Sequence, residues 1–341
     1  MLQTPMLFDA HVHLRVGEMM KAVVPLVARC CQAVIVMPNT ANIRTGAEAI
    51  RHREEIRAVA RRAGFPDFWP WMTVMLTDDT DPADVATWQD SGVVAGKYYP
   101  AGLYPPGGVS DLTKIEDVLR EMGRAGIPLS GHFERAGVHP LNAEQAAIPD
   151  FHWVAALACV MVIFEHVSTR AALKAVRYYL HTAATITPQH LVLTADDVYD
   201  ASRESIRYPH NWCRPVAKTP DDREALLDAA TSEDRQIFFG SDFAPHLASS
   251  KAEVPPPAGC ACYPAALPIL TEVFAQRGQL DRLADFTMGR AADFYGVPRD
   301  HDAPLIITER SGTVPESIPV GSRGEHIIPW LAGEVLPWGV V

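Results

Sequence analysis

Short runs of β-branched and aromatic residues recur along the chain, separated by stretches whose apolar side chains return every three to four positions. The first pattern predicts strands at Leu7–His11, Ala33–Met37, Trp69–Leu76, Val93–Tyr98, Ile127–Gly131, Val160–Glu165, Ala184–Ile186 and Gln236–Gly240. The second predicts amphipathic helices over Gly46–Ala63, Leu112–Arg124, Thr169–His181 and Pro220–Ser232. Strands alternating with helices build right-handed βαβ units around a parallel sheet, an α/β architecture. Eight strands are the number that closes a (β/α)8 TIM barrel, in which chemistry collects at the carboxyl ends of the strands. A doubly wound open sheet satisfies the same count and stands as the rival. The longest apolar run, Trp153 to Phe164, is about a dozen residues, too short to span a bilayer, and reads as a buried helix end running into a strand. No internal repeat is visible. Residues 1–341 read as one barrel domain, with a small β-rich, helix-free extension from about 305 to 341 packed outside it. Two loops rich in Pro and Gly, Pro100–Gly108 and Lys251–Gly259, each follow a predicted strand, where a barrel carries its substrate loops.

The composition changes this picture only by exclusion. Of 341 residues 48% are hydrophobic and 21% charged, which suits a folded chain and rules out a disordered or low-complexity one. The net charge is −11, so a basic stripe for nucleic acid or an anionic membrane is not expected, while local arginines leave an anionic small molecule open as substrate. Six cysteines form no CxxC pair, and a chain of this size needs no disulfides, so reduced thiols and a cytoplasmic setting are expected. The amino terminus lacks the basic and apolar regions of a signal peptide.

Candidate chemistry gathers at the strand ends. His11 and His13, in Asp9-Ala-His-Val-His-Leu-Arg15, are two residues apart on an extended backbone and so share a face. Two neutral imidazoles make a half-site for a divalent transition metal, although an isolated HxH is more often solvated. His132 after the fifth strand, His166 after the sixth and Asp242 after the eighth are further ligand types that converge on one mouth if the barrel is right. Lys97 ends the fourth strand. There it is either a solvated cation set aside from the cluster or a neutral amine that adds carbon dioxide to become a carbamate. Arg15 lies two residues beyond His13, and its planar fork suits a carboxylate. Tyr98 and Tyr99 read as core aromatics, and Cys260 and Cys262 as inert thiols.

The stretches DAHVHLR, VMPNT, GKYYPAG, GHFE, FEHVST, TITPQHL, HNWCRPVAK, GSDFAPH and AGCACYPAAL, followed by VPESI and IIPWLAGEVLPW, resemble the dihydroorotase family, monofunctional bacterial type, of the amidohydrolase superfamily. The resemblance covers essentially the whole chain in family order. It implies a barrel with two Zn2+ per chain. His11, His13, Lys97 as its carbamate and Asp242 would hold one; Lys97, His132 and His166 would hold the other, with a hydroxide between them. The implied reaction is the reversible conversion of N-carbamoyl-L-aspartate to L-dihydroorotate in pyrimidine biosynthesis, with Asp242 as the proton carrier. Arg15, Asn39 and His246 would bind the substrate carboxylate, and the main chain at Arg214 and Ala258 would contact the ring. A homodimer is also implied.

Two departures from the family pattern stand out. The loop Ala101-Gly-Leu-Tyr-Pro-Pro-Gly-Gly-Val109 lacks the pair of threonines that members fold over the substrate, and Arg214 is a long cation where an apolar side chain is expected. Two other readings follow the same residues: a hydantoinase- or allantoinase-like amidase for another cyclic amide, and a catalytically inactive barrel acting as an assembly partner. The second would be expected to have lost a ligand or the base, and none of the six is missing.

Overall fold

A computed structural model describes residues 1–103, 107–157, 159–297 and 304–340. Tyr104, Pro105 and Pro106 of the threonine-free loop lie outside the described residues, as does Val341 at the end of the extension.

Eight parallel strands pair in strict chain order: Leu7–Val12, Cys31–Val36, Trp69–Met75, Val93–Tyr98, Leu129–Gly131, Val162–Phe164, Thr182–Ile186 and Ile237–Phe239. Each expected strand is present, and consecutive order with helices between them is the (β/α)8 barrel rather than the doubly wound sheet, whose strand order reverses. No strand-to-strand ladder closes the ring between the first and eighth strands. Closure comes instead from Asp242 N–H donating to the His11 carbonyl at 2.9 Å, His13 N–H to the Phe243 carbonyl at 2.9 Å, and Ser241 N–H to Asp9 Oδ1 at 2.8 Å.

The helices Gly46–Arg62, Glu116–Arg124, Arg170–Val176 and Pro220–Ala230 answer to the amphipathic stretches. A 3-10 turn, Leu112–Ile115, begins the second, and the third ends before His181. Among the described residues, Gly17–Ala28 and Ala266–Gln276 are helices outside those stretches, and of Pro140–Ala156 only the buried end near Trp153 was expected. Gly17–Ala28 and Pro140–Ala156 contain Pro25 and Pro149, and Ala266–Gln276 is buried on most of its surface, which erases the polar stripe that marks a surface helix.

The barrel interior has its own apolar floor. Phe8, Ala10, Ile35, Met37, Ile163, Ala183 and Phe238 pack together against Met288, Ala291 and Ala292, from the helical segment over residues 285–295. Leu7, Val12 and Leu14 belong to the outer core with Val23, Val24 and Val27 of the first helix. The tail, as expected, is β-rich: Pro304–Thr308 pairs antiparallel with both Leu2–Pro5 and Gly339–Val340. Buried Trp330 donates its backbone N–H to the Ala261 carbonyl at 2.9 Å, docking the tail on the loop after the eighth strand. Among the described residues no helix is long and apolar enough to cross a membrane, and all six cysteines are free.

Candidate active site

Simple alternation from Phe8 and Ala10, both on the interior floor, would send His11 outward. Between the pairs Asp9↔Val34 and Val12↔Val36 the first strand carries one residue more than its neighbour. That bulge turns His11 inward, and His13 follows it by alternation. The fourth strand uses the same device: Met72↔Val93 is followed by Thr73↔Ala95, so one extra residue sets the phase that buries Lys97. At His166 and Asp242, just past the sixth and eighth strands, φ is +41° and +46°. Such left-handed backbone costs a non-glycine residue of order 1 kcal/mol or more and clusters at functional sites.

These side chains meet. His11 donates from Nδ1 to Glu165 Oε2 at 2.8 Å, and His13 from Nδ1 to Asn39 Oδ1 at 2.8 Å. Both rings therefore present bare Nε2 atoms, which lie 3.4 and 3.2 Å from the same oxygen, Asp242 Oδ1. His132 donates from Nε2 to Glu134 Oε2 at 2.7 Å, leaving Nδ1 3.1 Å from His166 Nε2. Donor atoms of His11, His166 and Asp242 all lie within 4.8 Å of one another. Electron pairs crowded this closely around a carboxylate are what a cation resolves, so the residues present fit a metal. Burial drives His13 down to about 4, against the pull of Asp242, and likewise lowers His132 and His166. Burial opposes the charge on Asp242, yet the closeness of the His13, His11 and His132 rings holds it below its ordinary value. Neutral imidazoles and an ionised carboxylate are the ligating forms.

Lys97 is fully buried, and its Nζ has no hydrogen-bond partner among the described residues. It sits 5.0 Å from the centre of the Tyr99 ring. Burial depresses the amine to about 8, while Glu165 and Asp242 act the other way.

Every other expected site residue lines one cavity of about 100 Å3, together with Tyr99, Ala244 and Gly259. Arg15 is turned into it by a left-handed backbone, φ +57°. Its Nε donates to the Pro245 carbonyl at 2.7 Å, and Nη2 lies 3.2 Å from His246 Nε2. His246, lowered to about 3 by burial and then by Arg15, also has Nε2 3.0 Å from the Ala258 carbonyl. A neutral ring with its proton there donates to Ala258; the other tautomer accepts from Arg15. Tyr99, read from the sequence as a core aromatic, faces this cavity, whereas Tyr98 packs on Phe133.

Two carboxylates escaped the sequence reading. Glu165, fully buried, accepts from His11, from Ser130 Oγ at 2.5 Å and from Thr185 Oγ1 at 2.7 Å. Glu134 accepts from His132 and from Arg214 Nε at 3.1 Å. Both stand beside expected ligands, in FEHVST and GHFE, and a metal-binding histidine commonly donates its second N–H to such a carboxylate. That adjacency was the available signal.

No protein-family model matches the chain. The dihydroorotase of Alkalilimnicola ehrlichii is 38% identical over 343 residues, covering 98% of this chain and 97% of that protein. The crystal structure of Saccharomyces cerevisiae dihydroorotase in complex with 5-fluoroorotic acid matches at a TM-score of 0.90 and 29% identity, covering 100% of this chain and 98% of that one. L-Hydantoinase from Arthrobacter aurescens, at 16% identity and a TM-score of 0.79 over 98% of this chain and 82% of its own, shares the fold alone. With near-complete coverage at that identity, and with the barrel and its ligand-bearing mouth in place, the chain belongs to the dihydroorotase family.

Proposed function

We propose that this chain is a metal-dependent cyclic amidase that interconverts N-carbamoyl-L-aspartate and L-dihydroorotate, releasing water on ring closure. The observation that carries the reading is the convergence of His11, His166 and Asp242 donor atoms within 4.8 Å beside a buried Lys97 amine that has no hydrogen-bond partner among the described residues. In this reading His11, His13, Lys97 and Asp242 would hold one zinc, and Lys97, His132 and His166 would hold a second. Neutral Lys97 Nζ attacks carbon dioxide, an N–C bond forms and one proton leaves, turning the amine into a carbamate able to bridge two cations. When bound, the cations supply an acidified water and polarise the amide carbonyl.

Asp242 accepts the proton of the attacking water and passes it to the departing amide nitrogen, base then acid; ring closure reverses the order. Arg15 and His246 bind the substrate carboxylate. Asn39 commits its oxygen to His13, which leaves its NH2 group to donate to the same carboxylate. The main chain at Arg214 and Ala258 contacts the ring. The cationic Arg15 favours this anionic substrate over a neutral hydantoin, and the complete ligand set speaks against an inactive assembly partner. The family resemblance adds a cytoplasmic homodimer, which sedimentation and cell fractionation test.

Purified protein should carry roughly two zinc ions per chain, as in binuclear hydrolases, and form dihydroorotate from carbamoyl aspartate at acidic pH. Turnover of a hydantoin with none of dihydroorotate would overturn the substrate assignment. A fully loaded protein inert toward every cyclic amide would overturn the enzymatic one.

A further inference from the structure

The guanidinium of Arg214 has a definite place in the fold. Arg214 Nε donates to Glu134 Oε2 at 3.1 Å, and His132 Nε2 donates to that same oxygen at 2.7 Å. Glu134 is 1% exposed, and its Oε1 has no partner among the described residues. One oxygen thus takes both donors, and among the described residues Arg214 is the one group besides His132 that hydrogen-bonds to the carboxylate. With Nε2 committed to Glu134, His132 turns Nδ1 toward His166 Nε2 at 3.1 Å, inside the cluster of candidate ligands. A carboxylate anchored by an imidazole alone is free to rotate about its last torsion, and the ring can then exchange its tautomer. A guanidinium donor with directional N–H geometry removes that freedom.

We propose that Arg214 is a positioning residue whose side chain, acting through Glu134, holds His132 with Nδ1 directed at the metal centre and so sets the affinity of the second cation site. The inference rests on the two-cation reading above. It concerns only what the side chain of Arg214 adds to that reading. Carboxylates that orient ligating histidines typically change metal affinity about 10- to 100-fold when removed. Arg214 stands one bond further out, so its effect should lie near the lower end.

The test uses the full-length protein stripped of metal and titrated with zinc against a competing chelator. Arg214→Leu should weaken the second zinc about tenfold and leave the first unchanged, and Arg214→Lys should recover part of the loss. Glu134→Gln should weaken the same step, and the double variant should be little worse than the worse single one, because both act through one link. Nitrogen NMR of the metal-free protein gives a readout independent of loading: His132 should be protonated at Nε2 in the wild type and mixed in Arg214→Leu. Unchanged second-site affinity in Arg214→Leu, with KM for dihydroorotate raised, would overturn the inference and make Arg214 a ligand contact. Failure of the wild type itself to take a second zinc would overturn the two-cation reading, and this inference with it.

Discussion

Glu165 offers the sharpest test of how the site is held, because its charge and its shape can be separated. Glu165→Gln keeps the volume. The amide oxygen can sit at the Oε2 position, where His11 and Thr185 donate, and the amide NH2 can donate to Ser130, whose hydroxyl is free to rotate. What is lost is the negative charge. In the metal-free protein, burial opposes that charge, but His11, Lys97 and the hydrogen bonds outweigh it and depress the carboxyl from 4.5 to about 2. A carboxyl depressed on folding contributes stability that is present above its unfolded pKa and lost as the pH falls through the folded one. The depression corresponds to about 3 kcal/mol at pH 7, shrinking to about 1 kcal/mol at pH 3. Denaturant melts of wild type and Glu165→Gln at the two pH values should therefore show a gap that closes by about 2 kcal/mol on acidification. A gap of equal size at both would show that Glu165 acts through packing and refute the charge argument. Chelator competition on the same variant should show metal affinity reduced about 10- to 100-fold, since His11 loses its anionic anchor.

Lys97→Ala should abolish both metal bridging and turnover, with partial rescue by a short-chain carboxylic acid that fills the carbamate's place; metal analysis and an activity titration with the acid check this. Asp242→Ala should retain at least one metal ion yet lose turnover, read from metal content alongside single-turnover kinetics. Arg15→Leu should raise KM for dihydroorotate by roughly two orders of magnitude, the range for removing a charged partner of a buried carboxylate, with a smaller effect on kcat. Steady-state kinetics would contradict the carboxylate-binding role if KM were unchanged.

Much of the architecture was legible in the chain. Each of the eight barrel strands is where β-branched and aromatic runs place it, because strands buried on both faces need such residues wherever they sit. The helices that packing buries most deeply were not legible, since Ala266–Gln276 has almost no polar face to betray its period. The ligand candidates were found by residue type and by position at strand ends. Glu134 and Glu165 were passed over because a carboxylate beside a histidine in sequence says nothing of which ring, on which strand, it will anchor.

Sequence by itself determined the period of the eight strands and of the amphipathic helices, the eightfold count and the identity of the ligand-type side chains at the mouth, since these depend on local chemistry and spacing of two or of three to four. Tertiary structure decided which way those side chains face. An inserted residue between Asp9 and Val12, and another between Val93 and Ala95, reverses the phase of alternation, and only pairing with the neighbouring strand reveals it. Closure of the ring through Asp9, Ser241 and Asp242, and the meeting of Arg214 with Glu134 across 80 residues of chain, are likewise products of the folded barrel. Contacts between distant segments depend on three-dimensional register, which no local pattern encodes.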